Sequence, residues 1–123
     1  MAKVLIIENS SFMKGALSSL LEYSGRHLVV GTAEDGPTAV NIYKRYRPGI
    51  VTCDILMGGL DGISILKMIL KEDPAAKVIM VSVFGQELKL EEARRIGSVG
   101  FIYKPYKHSE IEDEIQRVLS KQK

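Results

Sequence analysis

The chain has 123 residues, 46% of them hydrophobic and 26% charged, with a formal net charge of +2 and a pI near 8.7. This length fits one domain over residues 1–123, the composition excludes disorder and coiled coils, and the slight positive charge argues against a nucleic-acid partner. The sequence shows no long apolar run or leader and only one cysteine, Cys53, so we expect a cytoplasmic protein with no membrane partner and no internal disulfide.

The first strand and helix are predicted from an apolar run followed by a helical pattern. Four consecutive aliphatic residues before Glu8 predict a strand over residues 3–8. Ser10 or Ser11 can cap the following helix, and Gly25 can end it. The residues at helical spacing, which should form its core-facing stripe, are Phe12, Met13, Ala16, Leu17, Leu20 and Leu21.

The same alternation of strand and helix patterns continues to the end of the chain. Further strands are predicted at 27–33, 50–53, 78–82 and 99–103. Helices are predicted after each of them, with ends marked by Pro48, Asp73-Pro74 and Gly97, and the fourth helix begins at Gln86. Five such units predict a three-layer α/β/α sandwich around one parallel five-stranded sheet with right-handed crossovers.

Polar side chains follow four of the predicted strands. Glu8 and Asn9 follow the first, Asp54 the third, Ser82 the fourth and Lys104 the fifth. Each of them alone could be a turn or capping residue. Because ligands of parallel sheets bind beyond the carboxyl ends of the strands, we expect these groups to lie together.

This combination of groups suits phosphoryl transfer. The Asp54 carboxylate could accept a phosphoryl group if cations and donors neutralise the charge around phosphorus. Mg²⁺ prefers oxygen ligands, which Asp54 could supply with Glu8 and Asn9. Lys104 and Ser82 could each contact a phosphoryl oxygen, so phosphorylation would pull two strand ends inward.

In their order and spacing these motifs resemble the receiver domain of two-component response regulators, in particular the single-domain chemotaxis type. The motifs are Glu8-Asn9, Asp54 with residues 57–62, Val81-Ser82 and residues 100–105. The resemblance spans the whole chain. It implies a flavodoxin-like sheet with strand order 2-1-3-4-5.

The resemblance also implies a role for each matching residue. Asp54 would be the phosphoacceptor, and Mg²⁺ would be bound by Glu8, Asn9, Asp54 and the backbone carbonyl of Leu56. The other implied roles are the switch hydroxyl of Ser82, the phosphoryl-binding Lys104, and Phe101 as an aromatic that moves inward on activation. For Phe101 the alternative is plain core packing. The signalling surface would be the fourth helix, fifth strand and fifth helix, over residues 86–121.

Three positions depart from the family pattern. Asn9 is neutral where an acid is usual, which should lower the Mg²⁺ affinity by about one to two orders of magnitude. Gly58 replaces a proline and should loosen the loop after Asp54. Val83 replaces a small residue and could narrow access to the phosphoryl group.

The leading hypothesis is a signalling module, not an enzyme with its own substrate. It would take its phosphoryl group from a histidine kinase or phosphotransfer protein and act on a downstream target protein. A degenerate receiver that binds partners without phosphorylation is the alternative. A phosphohydrolase would need a second acid at Leu56, and a flavin protein would need glycines in residues 10–13.

The histidines and methionines suggest no further site. His27 and His108 have no partner at metal-ligand spacing, so we expect both at the surface. Core or gap filling is expected for Met13, Met57, Met68 and Met80.

Overall fold

The computed structural model describes residues 2–23, 25–57 and 60–120. The main strands are β1 Ala2–Ile7, β2 His27–Ala33, β3 Ile50–Asp54, β4 Val78–Ser82 and β5 Gly100–Tyr103. The helices are α1 Ser11–Tyr23, α2 Gly36–Tyr46, α3 Gly62–Glu72, α4 Glu87–Ile96 and α5 His108–Ser120. A separate antiparallel pair, Leu56–Met57 with Leu60–Asp61, precedes α3. Gly58, which we expected to loosen this loop, lies outside the described residues.

The main sheet is parallel and has the order β2-β1-β3-β4-β5, so the predicted fold class and strand order are confirmed. The register places Ile7 beside Cys53, and Asp54 beside Val81. The ends of β1, β3, β4 and β5 therefore meet at one edge of the sheet. β2 is an edge strand, and Asp35 beyond it caps α2 by accepting a hydrogen bond from the Thr38 amide at 2.8 Å.

Two hydrophobic cores lie on opposite faces of this sheet. Val51 and Cys53 face the core formed with α2, α3 and α4. Ile50 faces the other core, formed with α1 and α5. Side chains alternate along a strand, so Asp54 belongs to the α1 and α5 side. Among the described residues, no helix has the length and apolar character needed to cross a membrane.

The predicted core stripe of α1 is wider than the observed one. Leu17 and Leu21 are buried, but Phe12 is 79% exposed and Ala16 is also exposed. The helix touches the sheet through a narrow face, which the apolar spacing alone could not define. Phe12 therefore lies on the surface, close in sequence to the strand end at Asn9.

The methionines divide between core and surface. Met80 is fully buried in the sheet, as predicted. Met68 is 39% exposed on α3, so the core prediction is wrong for it, and Met13 is partly buried. The side chain of Met57 lies outside the described residues.

His27 is the clearest error of the sequence analysis. It is buried, and its Nε2 lies 2.8 and 2.9 Å from the two carboxylate oxygens of Glu112 on α5. The two residues are 85 positions apart, so their pairing has no local sequence signal. Burial pushes the pKa of Glu112 upward, but hydrogen bonds from His27 and Gln116 outweigh it and hold this pKa below its ordinary value. His108 is exposed, as expected.

Replacing Glu112 should destabilise the fold. Glu112→Ala leaves the buried His27 Nε2 without its partner, so we expect a loss of about 2 kcal/mol in the free energy of unfolding, measured by urea denaturation at pH 7. Because the pKa of Glu112 is lowered, its contribution is present above its unfolded-state pKa and is lost as the pH falls through the folded value. The exposed neighbour Asp113 provides the control, and equal effects of Asp113→Ala and Glu112→Ala would contradict the assignment.

Candidate functional site

The ammonium group of Lys104 joins the two acids at the carboxyl edge of the sheet. Its Nζ donates to Asp54 Oδ2 at 3.0 Å and to Glu8 Oε1 at 3.1 Å. Both carboxylate side chains are only 9% exposed, and that of Lys104 is 21% exposed. Three residues that are up to 96 positions apart thus form one charged cluster, as the strand-end pattern predicted.

The environment of Asp54 raises its pKa to about 6. Burial is the largest cause, because a carboxylate loses solvation at the sheet edge. The Lys104 ammonium lowers the pKa, and the neighbouring Glu8 raises it again. At neutral pH Asp54 is therefore ionised in most molecules and remains available as a nucleophile.

Lys104 holds its proton firmly. Burial works against the charged form, but the hydrogen bonds and charges of Asp54 and Glu8 prevail and raise the pKa of Lys104 above its ordinary value. Its backbone amide also donates to the carbonyl oxygen of Ser82 at 2.7 Å, so the end of β4 positions the residue that follows β5. The Lys104–Pro105 peptide bond is cis.

Tyr106 is a neighbour that the sequence analysis missed. Burial, together with the charges of Glu8 and Asp54, raises the pKa of its phenol to about 12. The ring packs against the core on the α1 and α5 side. The one sequence signal that places Tyr106 near the site is its position two residues after Lys104. The sequence pattern around it does not distinguish it from an ordinary core aromatic.

Ser82 is buried, but its hydroxyl has a partner outside the charged cluster. Ser82 Oγ donates to the side-chain oxygen of Gln86 at 2.8 Å and is 3.1 Å from the carbonyl oxygen of Val83. The same Gln86 oxygen accepts the Val83 amide at 2.9 Å. Gln86 is thus a second residue that the sequence analysis missed, since it was taken only as the start of a helix.

The remaining predicted metal ligands border the cluster. Asn9 is exposed directly after Glu8, whose Oε2 accepts the Ser10 amide at 3.3 Å. Leu56 follows the end of β3, with its side chain 58% exposed. Within the described part of the chain, no group of three or more His, Cys, Asp or Glu side chains could hold a metal ion. Any ion here would therefore depend on neutral oxygen ligands as well as Glu8 and Asp54.

Gly62 shows why the backbone after Asp54 folds back so closely. Its amide donates to the carbonyl oxygen of Ile55 at 2.7 Å. A Cβ atom at this position would lie 1.9 Å from the carbonyl oxygen of Asp54. Glycine is therefore required here by contact with the Asp54 backbone.

Phe101 does not pack in the core, so that alternative is wrong. Its ring is 48% exposed and makes an edge contact with Tyr103, with centroids 5.4 Å apart. Tyr103 in turn stacks on Phe84 at 4.7 Å. The three rings link the loop after β4 with β5. An outward Phe101 is the starting position that an inward switch requires, but the movement itself stays a prediction.

Replacing the buried Asp54 carboxylate should stabilise the metal-free protein. Since the pKa of Asp54 is raised from 3.8 to about 6, the folded state binds the extra proton, and the free energy of unfolding falls as the pH rises between these values. Asp54→Asn should abolish this slope and raise the free energy of unfolding by about 1 kcal/mol at pH 7, with allowance for solvent screening. The measurement is urea denaturation in the presence of a chelator from pH 4 to pH 7.5.

Lys104→Met in the same cluster should lower the free energy of unfolding, whereas Asp54→Asn should raise it. It leaves Glu8 and Asp54 without a shared cation, so we expect a loss of about 2–3 kcal/mol under the same conditions. If both variants destabilise the protein equally, the electrostatic account of the cluster is wrong.

The chain is similar in sequence and in structure to several known proteins. The profile of the response regulator receiver domain matches residues 4–116. The chain is 36% identical over 119 residues to Protein CcdB of Bacillus subtilis (strain 168), covering 97% of this chain and 98% of that protein. It is 38% identical over 116 residues to the chemotaxis protein CheY of Thermotoga maritima, covering 94% and 96%. A chain in the crystal structure of the CheX-CheY-BeF3-Mg²⁺ complex from Borrelia burgdorferi has a TM-score of 0.86 and 34% identity, covering 95% and 88%.

These findings agree with the fold and the strand order. The profile covers most of the chain, and the two similar proteins align over nearly their full lengths. CheY-type receivers are signalling proteins that generally bind Mg²⁺ at an acidic pocket. The chain therefore belongs to the response regulator receiver domain family of two-component signalling and is of the CheY type.

Proposed function

We propose that residues 1–123 form one receiver domain in which Asp54 accepts a phosphoryl group from a histidine kinase or phosphotransfer protein. The observation that carries this proposal is the Lys104 ammonium, hydrogen-bonded to both Asp54 and Glu8. A cation beside the acceptor carboxylate can neutralise phosphoryl oxygens as they approach. The protein would promote its own phosphorylation and have no other substrate.

The transfer would use Asp54 as the nucleophile. An Asp54 carboxylate oxygen forms a bond to phosphorus while the bond between phosphorus and the donor's imidazole nitrogen breaks. The imidazole keeps the electron pair and takes up a proton. Because the pKa of Asp54 is about 6, most molecules carry the required carboxylate at neutral pH. Lys104 would then exchange its contact with Asp54 for one with a phosphoryl oxygen.

The donor set at the sheet edge fits Mg²⁺. Glu8 and Asp54 offer two carboxylates, and the side chain of Asn9 and the carbonyl of Leu56 offer neutral oxygens, so every candidate ligand is the hard oxygen that Mg²⁺ prefers. When bound, the ion would supply positive charge that neutralises the phosphoryl oxygens. The Borrelia burgdorferi complex contains CheY together with BeF3 and Mg²⁺. Because Asn9 is neutral, we expect weaker binding here than at a site with an acid in its place.

The output surface in this proposal is the face formed by α4, β5 and α5. A groove of about 440 Å³ lies there, and its lining includes Leu90, Arg94, Phe101, Tyr103 and Arg117. Aromatic and arginine side chains are the types enriched at protein interfaces. Most of the groove lining lies between Ser82 and Lys104 in the chain, so movement of these two residues on phosphorylation would change the shape of the groove. The Borrelia burgdorferi CheY is in complex with a protein, CheX. A downstream target protein is therefore the partner class that we propose for this face.

The alternative is a degenerate receiver that binds its partners without phosphorylation. The exposed, neutral Asn9 favours it, and so does the engagement of the Ser82 hydroxyl by Gln86. The expected cytoplasmic location and the exclusion of nucleic-acid and membrane partners stay predictions from composition.

Treatment with acetyl phosphate and Mg²⁺ should add one phosphoryl mass to the wild-type protein. Asp54→Asn should abolish this gain because it removes the nucleophile, and a chelator should reduce it strongly. Intact-mass spectrometry measures both effects.

The matched control is Asp61→Asn. Asp61 is close to Asp54 in sequence, but its side chain caps α3 by accepting the Ile63 amide at 3.0 Å. It should leave phosphorylation intact. Absence of any adduct on the wild-type protein with several donors and metals would favour the degenerate receiver.

Beryllofluoride, a mimic of the phosphoryl group, should change amide chemical shifts mainly over residues 84–108. Moving the Phe101 ring from its half-exposed position into the core would contribute about 0.7–1.5 kcal/mol, which is half the value for a fully exposed ring and biases a two-state equilibrium roughly three- to tenfold. Phe101→Ala should therefore reduce the shift changes on this face.

The exposed Phe12 on α1 serves as the control for Phe101. Phe12→Ala should leave the shift changes as they are in the wild type. Changes confined to residues 12–24 would place the output surface on α1 and contradict the proposal.

A further inference from the structure

We infer that Gln86 is a positioning residue that holds the switch hydroxyl of Ser82 in its resting place and thereby opposes activation. This inference rests on the proposed function, because it concerns the hydroxyl that should contact a phosphoryl group on Asp54. We call the pair of hydrogen bonds from Ser82 Oγ and the Val83 amide to Gln86 Oε1 the Gln86 latch. Both bonds have the ordinary length for their type, at 2.8 and 2.9 Å.

The Gln86 latch competes directly with the active arrangement. A serine hydroxyl has one proton, so it can donate to only one strong acceptor at a time. Ser82 is 1% exposed, so water does not offer an easy substitute partner. Ser82 directly follows Val81, which pairs with Asp54 across the sheet. A hydroxyl that donates to a phosphoryl oxygen on Asp54 must therefore first release Gln86.

The side chain of Gln86 has no evident role in starting α4. Gln86 occupies the residue before the helix, but its side chain makes no capping hydrogen bond to the first turn. The neighbouring Glu87 carboxylate instead accepts the Gly85 amide at 3.0 Å. The contacts of Gln86 point back to Ser82 and Val83, at the end of β4.

The segment held by the latch also carries one of the stacked aromatic rings. Phe84 lies between Val83 and Gln86 in the chain and stacks on Tyr103, which contacts Phe101. Release of the latch would free the backbone on the N-terminal side of Phe84. The latch is therefore placed to couple the state of Ser82 to the aromatic residues of β5.

The test is the affinity of each variant for beryllofluoride at saturating Mg²⁺, measured by NMR titration. Gln86→Ala removes the closer of the two acceptors that compete for the Ser82 proton, the other being the Val83 carbonyl at 3.1 Å. The dissociation constant should therefore fall about three- to tenfold, the range expected for one hydrogen bond. Gln86→Glu keeps acceptor oxygens at this position and should bind no more tightly than the wild type. In the free protein, Gln86→Ala should also shift the Ser82 and Val83 amides toward their positions in the beryllofluoride complex.

A double-mutant cycle separates this role from a structural one. If Gln86 acts through the Ser82 hydroxyl, Gln86→Ala should have no effect on affinity in a Ser82→Ala background. Glu87→Gln is the matched control, because Glu87 adjoins Gln86 and makes its loop contact with Gly85 instead of Ser82. It should leave the affinity within twofold of the wild type.

The outcomes distinguish this inference from the function on which it rests. A wild-type protein that binds no beryllofluoride and accepts no phosphoryl group overturns the proposed function, and the latch with it. A wild-type protein that binds normally, with Gln86→Ala equal to it or weaker, overturns the latch alone. If Gln86→Ala raises the affinity equally in the wild type and in the Ser82→Ala background, the latch is also overturned.

Discussion

The arrangement at the sheet edge depends on one cation shared by two buried carboxylates. Without the Lys104 ammonium, Glu8 and Asp54 would repel each other in a place where solvent screens them poorly. With it, Asp54 remains ionised at neutral pH, although its pKa is raised to about 6. A site built in this way is costly for the resting fold, and its net charge of −1 means that a phosphoryl group would need a further cation there. In the proposed function, an arriving phosphoryl group would take over the contact with Lys104 that Asp54 makes now.

The parallel sheet makes this cluster possible because it brings the ends of distant strands to one edge. Asp54 ends β3 at the centre of the sheet, and Lys104 follows the edge strand β5. The intervening β4 connects them through the bond from the Lys104 amide to the Ser82 carbonyl. On β5, the Phe101 amide donates to Glu114 of α5 at 2.9 Å, so the outer edge of this strand is covered by its own helix. The strand thus leads directly into Lys104 and also forms part of the groove proposed for the output partner.

Two groups that the proposed switch would move have defined partners in this structure. The Ser82 hydroxyl is bonded to Gln86, away from the charged cluster, and the Phe101 ring lies half exposed against Tyr103. Both would have to move if phosphorylation is to change the surface. Their positions are consistent with a two-state element in which a ligand at Asp54 shifts the balance by its differential affinity for the two states. At the opposite end of the sheet, the hydrogen bond between the buried His27 and Glu112 joins β2 to α5.

The sequence by itself determined the five strand-helix units, the parallel sheet and the grouping of Glu8, Asp54 and Lys104, because apolar periodicity and strand-end position are local signals. Resemblance to a known family supplied the strand order, which periodicity does not contain.

Only the tertiary structure decided which side chains pair across long separations. His27 looked like a surface residue until Glu112 was placed beside it. Gln86 looked like a helix start until its amide oxygen was found on Ser82. Phe12 looked like part of the core until α1 docked through Leu17 and Leu21. Such contacts depend on how elements pack against each other, and that information is spread over the whole chain.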